Sequence, residues 1–583
     1  MDQSPSKRVR VGGPDFLESQ AGLPDGPANW QQLINLPGEL FQVCIAPEFD
    51  GGQGRRDRLE ALLSRGLLGF SFFAGKGSAA TALEWLKILA KEAGFVFEGK
   101  DVGTVMACES SSECIKLLTQ HMHKDDDGDR MVKSIQHVFG PIEHLVDETT
   151  QDLISSIRPA FDGSMEPEDI ATRLATMKEY LYQTAAQHAG TNLAFSWCYN
   201  HDQMCPCFAN GLNNAGDLLP GDIIDLVSDS DVDERPSLPK SPEPSEAKAD
   251  SPSNMSSWVA CTVFEGGQQC VDFAAYGKKR CMVGPSAVGF YVFTGELLKN
   301  LPKTFITEIT VPQTAGLMQQ EVGHVYNVLE IEINPPGIGK PKKRPRRYTF
   351  GWLLRHVLFS GSAQEFWNLF GRKVILSGEI YFTDEETRKE ETFEMARKQQ
   401  NFLENVNGDL EVANIPWEYL MKPRSLEILD EHLAHQAELQ GSNGAYIFDV
   451  EQTFGFCKGG PFVPCQVTHG TMVSARDGKI MTSWESLVVQ GEPCLGEGNE
   501  LPCFIKGALY EMSGKCRKHV AGNAYDLDVF FAFFVYCMSN VSIREAEPSG
   551  SDGFSCAPPS APAASASSSG QSGSAAMAVA SNS

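Results

Sequence analysis

"SFFAGKGSAATALEWL", residues 71–86, decides how this chain is read. An apolar run enters a short turn with glycines at 75 and 77, and a helical pattern follows. The turn lacks the Lys-Ser/Thr pair that closes a nucleotide P-loop, and it is not Gly-x-Gly-x-x-Gly, which argues against a phosphate cradle. Two glycines after a buried strand do let backbone approach a flat or charged ligand at a helix N-terminus. On turn chemistry alone, a plain strand-to-helix connection explains the stretch as well. The next segments add weight. "TVMACESSSECIKLL" (104–118) ends a strand-like run at Glu109 and then opens a helix. An acid at the end of the second strand of such a unit binds ribose hydroxyls. "IQHVFGPIEHL" (135–145) follows at a similar spacing. The three segments together describe the first half of a Rossmann-like site for an adenosine-containing cofactor.

Outward from this point the chain divides by texture. Residues 1–37 are rich in Gly, Pro and charge and are expected to be loose and disordered. From 38 to 213, strand-like and helix-like segments alternate, the pattern of α/β structure. "FQVCIAP" (41–47), "GFSFFAG" (69–75) and "VGTVMACE" (102–109) read as strands, and "ALEWLKILAKEAG" (82–94) as a helix closed by Gly94. Residues 214–257 interrupt the pattern. "LPKSPEPSEAKADSPSNMSS" (238–257) is a linker with too little apolar surface to order itself. Folded texture resumes at "WVACTVF" (258–264) and runs to 545, and residues 546–583 form a low-complexity tail.

With 583 residues and 42 % hydrophobic residues, the chain can bury a large core. Its formal net charge is −26, which disfavours nonspecific contact with nucleic acid unless positive charge is concentrated locally. The start, "MDQSPSKRVRVGG", has no apolar core of a secretory signal. The longest apolar run, "VFFAFFVYCM" (529–538), is well short of the roughly 20 residues a bilayer requires. The sixteen cysteines are therefore expected to be mostly free thiols in a reducing compartment.

The order and character of the segments resemble the cytosine-5 DNA methyltransferases. "FFAGKG" is similar to that family's Phe-x-Gly-x-Gly motif, "ACE" to its second motif and "HVFGPI" to its third, with Pro141 where the family carries Asp. "GGQQCVDFAAYG" (266–277) resembles the Pro-Cys-Gln loop, "KTFITEIT" (303–310) the Glu-Asn-Val strand, and "GKPKKRPRRYTFG" (339–351) the Gln-x-Arg-x-Arg element. "KIMTSWESLVVQGEP" (479–493) and "AGNAYDLDV" (521–529) are similar to the two elements that return the chain to the core. No single motif is strong, and the weight lies in their order.

The resemblance implies an α/β, Rossmann-like class I methyltransferase fold with a mixed, mostly parallel sheet. It also implies a catalytic half of the core over 258–352, a target-recognition-like region over 353–465, and a return to the core over 466–545. The implied cofactor is S-adenosylmethionine, held by Phe73, Gly75, Gly77, Glu109, Ile142, Gly522 and Asn523. The implied reaction methylates C5 of cytosine in DNA. Cys270 would add to C6 as thiolate, Glu308 would stabilise the ring nitrogen, and Arg344 or Arg346 would hold the base. The base must leave its helix to reach such a pocket. Gln269, Val271, Ala274, Ile309, Thr310 and Lys342 depart from the family pattern around that site. Residues 353–465 carry 18 acids and 10 bases, a balance of −8, where a DNA-reading surface calls for positive charge. An RNA cytosine-5 methyltransferase and a catalytically inactive interaction protein of the same fold are the alternatives. The "PKKRPRR" stretch (341–347) also reads as a nuclear-import patch, and the expected location is the nucleus.

Two further constellations stand apart. "CYNHDQMCPC" (198–207) packs Cys198, His201, Cys205 and Cys207 into ten residues. These ligand types suit zinc, but Cys-x-Cys is awkward for one tetrahedral ion, and free thiols in a loop is the plainer reading. "GDIIDLVSDSDVDE" (221–234) sets Ile223, Ile224, Leu226 and Val227 before serines and acids, and resembles a SUMO-interacting motif. Such a segment adds as a strand to a partner's sheet edge.

Overall fold

The strand Leu67–Phe72 (β1) lies at the centre of a nine-stranded sheet. The structure, a computed structural model, describes residues 22–49, 51–97, 100–124, 131–157, 161, 166–187, 195–206, 261–267, 281–311, 315–397, 415, 419–440 and 445–544, apart from positions 456, 458, 477 and 497. All belong to one compact unit, and the second unit, Glu545–Ser583, lies outside the described residues.

The other strands are Val102–Cys108 (β2), Ile135–Phe139 (β3), Phe195–Cys198 (β4), Gln203–Pro206 (β5), Cys261–Gly266 (β6), Thr304–Thr310 (β7), Tyr326–Ile333 (β8) and Arg346–Leu353 (β9). Their spatial order is β8-β9-β7-β6-β1-β2-β3-β4-β5. The five strands β3, β2, β1, β6 and β7 run parallel, while β9 is antiparallel to both β7 and β8. This is the doubly wound order of the class I methyltransferase fold, extended at the β3 edge by an antiparallel hairpin, β4–β5. The expected fold class is therefore what the chain adopts. In such a sheet ligands sit beyond the carboxyl ends of the strands where the order reverses, here between β1 and β6.

The sheet is buried on both faces, so side-chain alternation along β1 sorts residues into two cores. Leu68, Phe70 and Phe72 pack on one face with Phe264 and Phe293, and Leu67 packs on the other with Val263 and Ile306. Helices Leu36–Ile45 (α1), Gly52–Arg65 (α2) and Ser78–Glu92 (α3) contribute to the second face. Pro167–Gln187 (α5) and Ser286–Asn300 (α6) cover the first, and Ser112–Thr119 (α4) joins β2 to β3.

Two expectations are corrected here. "FQVCIAP" is not a strand: it lies in α1, which has a proline in its first turn. Leu36, Leu40, Phe41, Val43, Cys44 and Ile45 are all buried there, and an apolar run buried on every side carries no period to separate helix from strand. Residues 22–37 are not loose either. Trp30–Ile34 is a helical turn capped by Asn29, Leu33 and Leu36 are buried, and the Gly26 N–H bonds the Lys373 carbonyl at 2.8 Å. The apolar run at 529–538 belongs to a helix, Leu527–Ser539 (α7), every residue of which is buried.

The region expected to read the target holds a small three-stranded sheet, Ile447–Asp449, Met472–Ser474 and Lys479–Ile480. Its own core is built on Met421, Leu429, Tyr446, Phe448 and Val473. That sheet runs past residue 465, so the boundary drawn from sequence divides it.

Candidate active site

A cavity of about 250 Å3 opens at the carboxyl ends of β1, β2 and β3. Phe73, Glu109 and Ile142, three of the residues expected to hold a cofactor, line it with Phe161, Glu143, Ser286 and Gly289. Phe73 has φ +57°, a left-handed conformation unusual for a bulky residue. Its ring lies against Gly289 on α6, where a Cβ would come within 2.8 Å of it. The loop is therefore strained so as to place an aromatic ring at the cavity wall, a kind of strain that collects at ligand sites.

Glu109 is fixed by the turn that the sequence singles out. Its Oε2 accepts from the Gly75 N–H at 2.7 Å, and its Oε1 accepts from the Ser110 and Ser111 N–H groups at 2.8 and 2.9 Å. Gly75 has φ +55° and Gly77 φ +88°, so both meet the left-handed geometry that glycine tolerates. Lys76 between them points away from the cavity, fully buried, and pairs with Glu492 at 3.0 Å. The lysine of this turn is a structural anchor, and the phosphate-cradle reading fails for that reason as well.

Gly522 and Asn523 are not among the residues lining this cavity. Gly522 packs on the Val467–Thr468 backbone, where a Cβ would lie 2.5 Å from the Thr468 nitrogen, and the Asn523 amide bonds the ring of His519. Sequence reasoning missed Glu143, Phe161 and Ser286. Pro141 leaves the loop after β3 without the family's carboxylate, and Glu143, two residues on, supplies one to the same cavity.

The residues present fit an adenosine-bearing cofactor. Phe73, Phe161 and Ile142 offer apolar faces for a base, and Glu109 and Glu143 offer acceptors for hydroxyl and amine hydrogens. The volume is close to the lower end of small-molecule sites, roughly 300 Å3.

The second group lies on β6, β7 and β9. Cys270 is outside the described residues, and so are Ile223, Ile224, Leu226 and Val227. Glu308 is buried on β7, and its Oε1 lies 2.9 Å from Nε of Arg346 at the start of β9. Arg346 also reaches Cys465, 4.0 Å from Nη2 to Sγ. Burial opposes ionisation of the Cys465 thiol, but Arg346, Arg344 and Lys342 outweigh it and hold the thiol below its ordinary value. The sequence gives one sign of this in "PCQ" at 464–466.

Arg344 does not face this group. Its guanidinium donates to the carbonyls of Ala524 at 2.6 Å, Gln466 at 3.3 Å and Gly522 at 3.4 Å. It ties the segment before β9 to the returning chain through backbone carbonyls, whereas Arg346 faces Glu308. The nuclear-import reading of "PKKRPRR" fails on burial: Lys342, Arg344 and Arg346 are buried, and Lys343 alone of the stretch is exposed.

Glu265, at the end of β6, sits on the same side of the sheet as Ser71, which donates to its Oε2. Burial pushes its carboxyl up to about 7, and the Ser71 and Tyr525 hydroxyls pull it back only in part. The group's pKa is higher folded than the ordinary 4.5, so the folded state binds more protons between these values and stability falls as pH rises through that window. Glu265→Gln is expected to remove this slope. The variant should match the parent below pH 4.5 and exceed it by up to about 3 kcal/mol above pH 7, by urea unfolding across pH. Equal stabilities at both ends would show that Glu265 ionises normally.

The strand order is that of the Rossmann-like class I methyltransferase fold. No protein-family model matches the chain, and no curated protein matches it. Among solved structures it is similar to the Dnmt2 methyltransferase of S. pombe, at 9 % identity and TM-score 0.37, over 81 % of this chain and 98 % of that one. It is also similar to the Entamoeba histolytica methyltransferase EhMeth, at 11 % and 0.35, over 81 % and 98 %. A Spodoptera frugiperda DNMT2 mutant aligns at 13 % and 0.29, over 81 % and 99 %. The strand order, not these likenesses, establishes the fold.

Proposed function

We propose that the protein is an S-adenosylmethionine-dependent methyltransferase that modifies C5 of cytosine in DNA, with Cys270 as nucleophile. The observation that carries this reading is the Glu308–Arg346 pair. The motif order picks the two residues independently, 38 positions apart, and they lie 2.9 Å from one another on adjacent strands.

S-adenosylmethionine, when bound, supplies an electrophilic methyl group. The chain's residues do the rest. Phe73, Phe161 and Ile142 exclude water from one face of the cavity, and Glu109 holds hydroxyls through its carboxylate. Cys270 adds to C6 of the ring, which makes C5 nucleophilic. Glu308 donates a hydrogen bond or proton at N3 as negative charge develops there, and Arg346 orients that carboxyl. The proton on C5 leaves after methylation, and the sulfur departs from C6 to restore the ring.

The test is covalent trapping. The protein is mixed with labelled S-adenosylmethionine and oligonucleotides carrying 5-fluorocytosine, as duplex DNA and as structured RNA. The reading predicts a DNA adduct that is lost in Cys270→Ala and kept in Cys465→Ala. An adduct on RNA alone moves the substrate, and one lost only in Cys465→Ala moves the nucleophile. Cofactor binding with no adduct on either nucleic acid overturns the catalytic reading in favour of a non-catalytic interaction protein. In that case Ile223, Ile224, Leu226 and Val227 would be the docking strand for a SUMO-like partner.

A further inference from the structure

Beyond the methyl-transfer site, four side chains converge at the opposite edge of the sheet. His137 on β3, Cys198 at the end of β4, His201 in the following turn and Cys205 on β5 each offer one ligand atom, and these atoms all lie within 4.8 Å of one another. The sulfur–nitrogen separations fit this grouping: Cys198 Sγ to His137 Nδ1 is 3.8 Å, Cys198 Sγ to His201 Nδ1 is 3.5 Å, and Cys205 Sγ to His201 Nδ1 is 3.4 Å. Zinc bonds of about 2.3 Å to sulfur and about 2.05 Å to nitrogen, set at the tetrahedral angle, place sulfur and nitrogen about 3.6 Å apart. The separations bracket that value. We propose that His137, Cys198, His201 and Cys205 bind one zinc ion in a closed, structural site.

Cys207, which the sequence pattern suggested as fourth ligand, lies outside the described residues, and His137 takes that place from 61 residues upstream of Cys198. The exchange removes the awkward Cys-x-Cys geometry. It leaves two thiolates and two neutral imidazoles, a donor set that suits tetrahedral zinc and balances its charge.

The backbone is built to hold these donors. The turn 199–202 is closed by the Asp202 N–H on the Cys198 carbonyl at 2.8 Å, with Asp202 at φ +53°. Asn200 at its tip donates to the Ile135 and Gln136 carbonyls at 2.8 and 3.2 Å, and the Tyr199 N–H bonds the Val138 carbonyl at 2.7 Å. The His137 ring is stacked on Phe139, the rings 5° from parallel. The two sulfurs are buried, and His201 is exposed, which leaves an entry path for the ion.

The need for such a staple is physical. The hairpin β4–β5 has two four-residue strands, and its pairing with β3 is confined to Phe139 and Cys198. A short two-stranded ribbon is marginal by itself. An ion bound to His137 on one side and to the hairpin on the other fastens the hairpin to the strand that leads into Pro141 and Ile142 at the cavity.

The experiment uses the full chain purified without chelators, with metal measured by plasma mass spectrometry. The result expected is about one zinc per chain, unchanged in Cys207→Ser and falling to near zero in His137→Ala and Cys205→Ser. After zinc removal, cobalt should give the intense visible bands of a tetrahedral ion and a thiolate charge-transfer band. That spectrum is read on the unaltered protein and does not depend on any variant folding. Zinc-free protein with no tetrahedral cobalt spectrum overturns the proposal. So does a Cys198–Cys205 disulfide in the purified protein, or zinc that is lost in Cys207→Ser and kept in His137→Ala.

Discussion

Lys76→Met is expected to lower folding stability by about 3–5 kcal/mol, as removal of one partner from a buried ion pair does. The Lys76 side chain is 0 % exposed and Glu492 is 1 % exposed, with 3.0 Å between them. Methionine is close to lysine in length and fills the same space, so the loss is electrostatic. It leaves the Glu492 carboxylate in a low-dielectric site beside Cys494 and Cys503, whose thiols are already pushed up by burial and then by Glu492. Lys76→Met combined with Glu492→Leu removes both charges and should recover most of the lost stability, since a hydrophobic replacement of a buried pair is often neutral or better. Urea unfolding midpoints of the parent, the single variant and the double variant measure this. The turn at 74–77 orients Glu109 through the Gly75 N–H, so the single variant should also bind cofactor more weakly and the double variant should recover binding. A single variant within about 1 kcal/mol of the parent would show that the pair is not desolvated as its burial implies.

What could be read from the residues follows from how local the governing physics is. The turn at 75–77, the helix after it and Glu109 at the end of β2 were legible because glycine, a helical period and an acid at a strand end act within a few neighbours. The misread strand at 41–47 was not, since its apolar residues are buried not only by the neighbouring α2 but by α7, which comes from the far end of the described chain. Arg344 and Arg346 share one motif, which favours Arg346 by resemblance but gives no physical ground for the choice. Only the carbonyls of Gln466, Gly522 and Ala524 separate the positioning residue from the one facing Glu308. Motif order points to Gly522 as a cofactor-binding residue, but its missing side chain serves a close approach of Thr468. The basic stretch at 341–347 reads as a nuclear-import patch because the partners that bury it, Asp526 for Lys342 and Glu308 for Arg346, lie on other elements and leave no local mark in the sequence. His137 could not be grouped with Cys198 from spacing, because the antiparallel pairing of β3 with β4, 61 residues on, brings them together.

Glu308→Gln is expected to reduce methyl transfer by about 100- to 10,000-fold, the usual share of a positioned acid or base, while leaving cofactor affinity unchanged. The substitution keeps the side chain's shape on β7 and removes the ionisable proton. The cofactor cavity lies at the ends of β1, β2 and β3, and Glu308 does not line it, so a fall in both rate and cofactor binding would point to a structural defect instead. Arg346→Gln offers a second measurement that needs no turnover. Cys465 is kept below its ordinary thiol pKa against burial, with Arg346 the largest favourable influence. Without that guanidinium the thiolate loses its main counter-charge, so the pKa must rise. Alkylation of Cys465, followed by mass spectrometry across pH, should then shift its midpoint upward. Arg346→Lys should fall between the two, since a single ammonium cannot span both the Glu308 carboxylate and the Cys465 sulfur as the planar fork does. An unchanged midpoint in Arg346→Gln would mean that Arg346 does not govern the charge of this pocket. The assignment of base-holding to Arg346 would then lose its electrostatic basis.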